Sequence, residues 1–281
     1  MKIMKITFLI TIVSFLIIIL SSCVKKEEPQ PVLKKVDVST LKEKIGIMYE
    51  VAKPVPFTGI GQKYTQDSIL FFEKTYKNGL LDGKTIYYWS NRSKKFDIDF
   101  VNGKKHGESL EWTEDGKLII REKFNKGVLD GLQESWYENG KPKTRSEFSN
   151  GLKNGRHENW DENGNKEFEE ENVQGKKNGY RRLWYDNGQM EGEGIFENDT
   201  VNGKTTGWHR NGKKMYEGSY IMGKMNGTFY NWYEDGNKKS EENFKEDIKH
   251  GVFKYWDRNG RLIKEEYYKD GNKVSKNEYS G

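Results

Sequence analysis

The sequence predicts an all-β chain: a single-layer antiparallel meander, or β-hairpin solenoid, of 24-residue repeats. Three observations carry that reading. Tryptophan recurs at Trp112, Trp136, Trp160, Trp184, Trp208, Trp232 and Trp256, each 24 residues after the last. A second aromatic column keeps the same period: Tyr76, Phe100, Phe124, Phe148, Phe196, Tyr220, Phe244 and Tyr268, with Asn172 as its one polar member. Two glycine columns share it as well, one from Gly59 through Gly251 and one from Gly116 through Gly260. Columns that keep one period without a slip from Gly59 to Tyr268 describe a supersecondary unit repeated about nine times.

Composition agrees. Of 281 residues, 33% are hydrophobic and 32% charged, too few aliphatics for one large layered core. The 14% aromatic content sets the chain apart from disordered sequences, which are poor in Trp and Tyr. The net charge of +5 comes from 48 basic and 43 acidic residues, and the basic residues do not cluster. That pattern excludes a nucleic-acid footprint.

In chain order, residues 1–22 read as a lipoprotein signal peptide. Lys2 and Lys5 precede an apolar run from Ile6 to Leu20. That run is too short for a membrane span and right for a signal segment. It ends in Leu20-Ser21-Ser22-Cys23, which resembles a bacterial lipobox, with Cys23 as the acylated residue. Cys23 is the only cysteine, so the sequence offers no disulfide and no cysteine metal site. Residues 23–44 read as the lipidated cysteine and a flexible tether, polar and proline-bearing. Residues 45–281 form the repeat domain, with full units over about 76–267 and partial units at both ends.

One unit shows the local logic. In Gly131-Leu-Gln-Glu-Ser-Trp136-Tyr-Glu-Asn-Gly140 a short strand runs into a hairpin turn. The chain returns to Phe148 and turns again within Ser149 to Gly155. A three-residue loop, Glu138 to Gly140, places Gly140 at the left-handed bulge position. By simple alternation it also places Trp136 and Phe148 on one face. That face then receives the column Phe72, Phe96, Ile120, Thr144, Phe168, Gly192, Tyr216, Ser240 and Lys264. The opposite face receives the charged column Glu73, Asp97, Arg121, Arg145, Glu169, Glu193, Glu217, Glu241 and Glu265.

The motif Asn-Gly-x-x-Asn-Gly-x₄-Trp-Tyr-x-Asn-Gly resembles the MORN repeat (membrane occupation and recognition nexus) in its bacterial variant form. Phe148 to Gly155 and Trp184-Tyr-Asp-Asn-Gly188 match it closely, and the resemblance covers about residues 57–275. Asp199 and Asp247 replace the first glycine of the pattern, and Arg92 and Ser68 replace the turn glycine of early units. The resemblance implies stacked hairpins used as a scaffold or binding surface; bacterial members are often labelled antitoxins. Choline- and cell-wall-binding repeats also show glycine before Trp-Tyr, but the doubled Asn-Gly turn and the period favour MORN.

The sequence points away from catalysis. An active site needs one unique constellation, and these units are nearly alike. His106, His157, His209 and His250 read as turn residues rather than metal ligands. No cofactor is expected, and the chain reads as no enzyme. The aromatic columns are the candidate binding or stacking ladder: the seven repeating tryptophans with Phe100, Phe124, Phe148, Phe196, Tyr220 and Phe244. Expected partners are a membrane, through the N-terminal lipid, and an unidentified protein or glycan. Self-association through the aromatic face is a further expectation. The expected location is the bacterial cell envelope.

Overall fold

A computed structural model describes residues 32–279; Cys23 and the expected signal peptide lie outside the described residues. Glycine placement decides the turns. After the strand Gly131–Trp136, the Tyr137 N–H donates to Lys141 O at 2.9 Å and the Gly140 N–H donates to Tyr137 O at 2.8 Å. Glu138 to Gly140 therefore close the hairpin as a three-residue loop, and Gly140 takes φ 83° there. The return strand Pro142–Ser149 ends at Asn150-Gly151, with φ 50° and 81°. Two successive positive φ values make this a type I′ turn. Gly155 is not part of it, although its spacing suggests so. It sits inside the strand Leu152–Trp160 with φ 118°, beside a shift of pairing register.

Successive strands pair as antiparallel neighbours from Gly59–Tyr64 to Asn272–Glu278. No α-helix occurs among the described residues, and none there is long and apolar enough to cross a membrane. The first edge carries a short parallel strand, Lys35–Asp37, on Gly59–Tyr64. A small hairpin, Leu41–Lys44 with Ile47–Glu50, joins it, and the Met48 N–H donates to Gly79 O at 2.9 Å. Ordered structure thus begins before Lys44, where composition alone ends the tether.

Neighbouring units are stitched along both long edges. At the two-residue turns the N–H of Gly103, Gly151 and Gly223 donates to Leu81, Leu129 and Val201 carbonyls, at 2.7, 2.8 and 2.8 Å. Asp199 and Asp247, which replace the pattern's glycine, keep φ at 68° and 70° and make the same bond at 3.0 Å. A left-handed non-glycine residue is disfavoured, and Asp and Asn tolerate it best. At the three-residue turns the hydroxyls of Tyr137, Tyr185 and Tyr233 donate to the carbonyls of Trp160, Trp208 and Trp256, at 2.8, 2.8 and 2.9 Å. Each unit therefore leans on the next, as in other solenoids.

The distribution of columns over the two faces differs from the simple alternation. Trp136 pairs with Pro142, but Ser135 pairs with Thr144, so Lys143 is an extra residue on the return strand. A one-residue bulge moves every later side chain to the other face. Phe148 lies opposite Gly131 and shares its face with Gln133 and Ser135, not with Trp136. The same shift occurs beside Trp112, Trp160, Trp184, Trp208, Trp232 and Trp256. The column from Phe72 to Lys264 therefore belongs to the Phe face. The column from Glu73 to Glu265 belongs to the Trp face.

The Phe face holds most of the buried apolar groups. Toward the C-terminus its rings form a continuous series: Tyr220–Phe229, Phe229–Phe244, Phe244–Phe253 and Phe253–Tyr268 centroids lie 5.3, 5.6, 5.4 and 4.9 Å apart. These tilted and edge-on contacts are the favoured aromatic geometry. Phe253 is fully buried, at 0% exposure.

Candidate functional site

The structure divides the expected aromatic ladder in two. The seven periodic tryptophans line the Trp face, and all are half-buried. Cations lie over most of their rings. Lys94, Lys166, Lys214 and Lys238 place their ammonium groups over Trp112, Trp184, Trp232 and Trp256, at 5.9, 5.5, 5.6 and 5.3 Å. In each pair the lysine comes from the preceding unit. Arg121 lies over Trp136 at 5.9 Å. Each such contact is worth about 0.5–1 kcal/mol at a partly exposed site.

The same lysines are tied to carboxylates three residues on: Lys94–Asp97 2.7 Å, Lys166–Glu169 2.7 Å, Lys214–Glu217 2.5 Å and Lys238–Glu241 3.2 Å. Burial alone would depress Lys166; the hydrogen bonds it donates to Glu158 and Glu169 outweigh it and raise its pKa. The hydrogen bond from Lys214 holds the Glu217 carboxyl below its ordinary range. Carboxylate, ammonium and indole thus recur as a triplet. An ion-pair series runs between the tryptophans, through Lys166, Glu169, Arg182 and Glu193. On this face ammonium and carboxylate groups thus stand between successive tryptophans.

Phe100, Phe124, Phe148, Phe196, Tyr220 and Phe244 line the other face, also half-buried. Beside Phe148 runs a polar row that column spacing does not reveal. Gln133 Nε2 donates to Glu122 Oε1 at 3.0 Å, and Ser146 Oγ lies 2.5 Å from His157 Nδ1. Glu170 pairs across from His157, with Arg181 Nε 3.6 Å from its Oε2. His157 is therefore a mid-strand residue and not a turn residue. Burial, with Lys153 adding to it, lowers its pKa below the ordinary histidine value. Ser146 is 3% exposed and Glu170 9%, so the row is internal polar packing rather than an exposed nucleophile. The other histidines stay at or beside turns, and His209 Nε2 lies 3.1 Å from Trp232 O. Among the described residues no group of His, Cys, Asp or Glu is arranged to hold a metal ion.

The edge formed by the two-residue turns carries a stripe of exposed aliphatics. Val128, Leu152, Val173, Ile221 and Ile248 are 43, 51, 49, 55 and 51% exposed. Lys104, Lys176 and Lys224 occupy the same turn positions in other units.

No curated protein matches the chain. Two solved structures that it resembles are the crystal structures of TcdB2-TccC3 and of TcdB2-TccC3-Cdc42, at 12% and 11% identity. Each alignment covers 74% of this chain, with TM-scores of 0.22 and 0.21. The chain spans only 14% and 13% of those chains. The MORN repeat variant matches residues 105–126, 129–150, 177–198, 201–222, 225–246 and 249–279. MORN repeats generally serve binding or scaffolding rather than catalysis. With six matched repeats over half of its length, set in a sheet of stacked hairpins, the chain belongs to the MORN repeat variant family.

Proposed function

We propose that the chain is an envelope lipoprotein, anchored through acylated Cys23, whose repeats are a non-catalytic scaffold that meets its partner along the two-residue-turn edge. The observation that carries this reading is the exposed aliphatic stripe. The fold does not need apolar residues there: Asn125, Ser149 and Lys245 stand in the same column as Val101, Val173 and Ile221. Exposed aliphatics that recur along one edge mark a contact surface. Their alternation with lysines suits an acidic lipid surface, where each cation contributes about 1 kcal/mol.

Fractionation of cells tests the anchor: Cys23→Ser should leave the membrane fraction or fail to mature. Vesicle flotation of the Cys23→Ser chain tests the edge. It should float with anionic vesicles and not with neutral ones, and Leu152→Glu with Ile221→Glu should abolish flotation. Flotation that is indifferent to both substitutions would overturn the edge reading.

A further inference from the structure

Five of the three-residue turns end in Asn-Gly, at Asn139, Asn163, Asn187, Asn211 and Asn259. In three of them the asparagine side chain is held at both ends. Asn139, Asn187 and Asn211 donate from Nδ2 to the carbonyls of Glu162, Arg210 and Glu234 in the next unit, at 2.8, 2.8 and 2.7 Å. Their Oδ1 atoms accept the N–H of Lys141, Gln189 and Lys213, at 2.9, 3.1 and 3.0 Å.

Asn163 has lost both partners to its own turn. Asn165 Nδ2 donates to Asp186 O at 3.3 Å, the carbonyl that Asn163 would reach by the pattern of the other units. The Asn165 N–H donates to Asp161 Oδ1 at 2.8 Å instead of to Asn163. Asn163 is exposed, and its side-chain amide has no hydrogen bond among the described residues.

A second feature distinguishes the same turn. Lys141, from the preceding unit, donates from Nζ to the Asn163 main-chain carbonyl at 2.5 Å. That carbonyl belongs to the peptide bond joining Asn163 to Gly164. Lys117 lies one peptide too early for Asn139, on Glu138 O at 3.0 Å. Asn165, Gln189 and Asn237 hold the lysine's position ahead of Asn187, Asn211 and Asn259, and bring no cation. Lys213 repeats the contact on Asp235 O, but an ionised carboxylate is a poor electrophile. The glycine N–H does not discriminate, because in all five turns it donates to the carbonyl three residues back, at 2.8 to 3.0 Å.

We propose that Asn163 is a self-modification site, where the chain converts its own asparagine to aspartate and isoaspartate. The Gly164 nitrogen loses its proton to solvent hydroxide and attacks Asn163 Cγ. As that proton leaves, charge develops on the Asn163 main-chain oxygen, and the Lys141 ammonium sits where it stabilises it. The new N–Cγ bond closes a five-membered succinimide. The Cγ–Nδ2 bond breaks, and the leaving group takes a proton from water and departs as ammonia, which restores the hydroxide. A second water opens the ring at either carbonyl, giving aspartate or isoaspartate. Isoaspartate carries the main chain through one extra carbon, which lengthens the loop between the strands Leu152–Trp160 and Lys166–Val173. The inference is independent of Cys23 and of the aliphatic edge.

The test incubates the full chain, in detergent solution, in mildly alkaline buffer for several weeks, and locates amide loss by peptide mass spectrometry. Asn163 should react at least about tenfold faster than Asn139, Asn187 or Asn211. Asn259, unclamped but without a cation, should fall between. In urea the turns are gone and the rates should converge, which separates the fold from the local sequence. Lys141→Met should slow Asn163 severalfold, and Lys141→Arg should keep most of the rate. The sign matters, because a lysine that only braced the turn would give faster loss when removed. Asn165→Lys, which frees Asp186 O for Asn163, should slow it as well. The proposal is overturned if Asn163 reacts no faster than the clamped three in the folded chain, if the difference persists in urea, or if Lys141→Met leaves the rate unchanged or raises it.

Discussion

Two stretches of the Phe face use the same backbone positions for opposite purposes. Near the C-terminus, Phe229 and Phe253 fill the position that Gln133, His157 and Arg181 hold in the middle units. The C-terminal rings bury one another in a continuous series, and burial pushes Tyr255 beside them up to about 12. The middle units replace that series with hydrogen bonds: Gln133 to Glu122, and Ser146 with His157. A buried ring contributes through area removed from water, whereas an internal hydrogen bond nets only about 1 kcal/mol. The apolar end therefore contributes more to holding the sheet than the polar middle does.

Substitutions should expose that difference. Phe253→Ala empties a fully buried position and should cost about 3–5 kcal/mol, read as lost hydrogen-exchange protection in the strand Gly251–Trp256. Protection in Leu152–Trp160, four units away, should change little, because solenoid units depend on their neighbours. A uniform loss along the chain would show one cooperative core instead.

Next in size is Gly218→Val, which should cost about 1–3 kcal/mol because the Phe229 ring must leave its place against the backbone. Thermal melting beside Gly192→Ala, whose added Cβ would meet only ordinary contacts, gives the contrast. If both glycines tolerate substitution equally, Phe229 is not held where the structure shows it.

The smallest effect belongs to the polar middle. Burial depresses the His157 pKa, so the folded chain holds a neutral imidazole that the unfolded chain protonates near pH 6.5. The unfolded state then binds more protons at low pH, and the stabilisation present above that pH is lost as pH falls through it. Melting temperatures from pH 7.5 to 5.5 should fall more steeply for the parent chain than for His157→Gln. Parallel slopes would mean that His157 is solvated.

Much of this was legible in the residues. The period, the Asn-Gly turns and the three-residue loop follow from glycine spacing and turn chemistry, and the structure shows them. Asp199 and Asp247 hold the left-handed turn position that glycine vacated, which residue type alone leaves open. The faces were not legible by alternation, because one unpaired residue such as Lys143 reverses everything after it. A signal was nevertheless present. Lys94 and Asp97, Lys166 and Glu169, Lys214 and Glu217, and Lys238 and Glu241 share one spacing. Residues three apart in a regular strand point to opposite faces, so a recurring ion pair at that spacing requires a bulge. The polar row escaped notice because Ser146, His157 and Glu170 become neighbours only through strand pairing.

The central claim is that a bulge in every unit separates the tryptophan column from the phenylalanine column. Proton–proton contacts between aromatic side chains, measured by NMR on selectively labelled protein, test it directly. The structure predicts contacts of Phe244 with Phe229 and Phe253, and of Trp232 with Tyr230 and the Lys214 side chain. Contacts between the Trp232 and Phe244 rings, which simple alternation would place on one face, would contradict it.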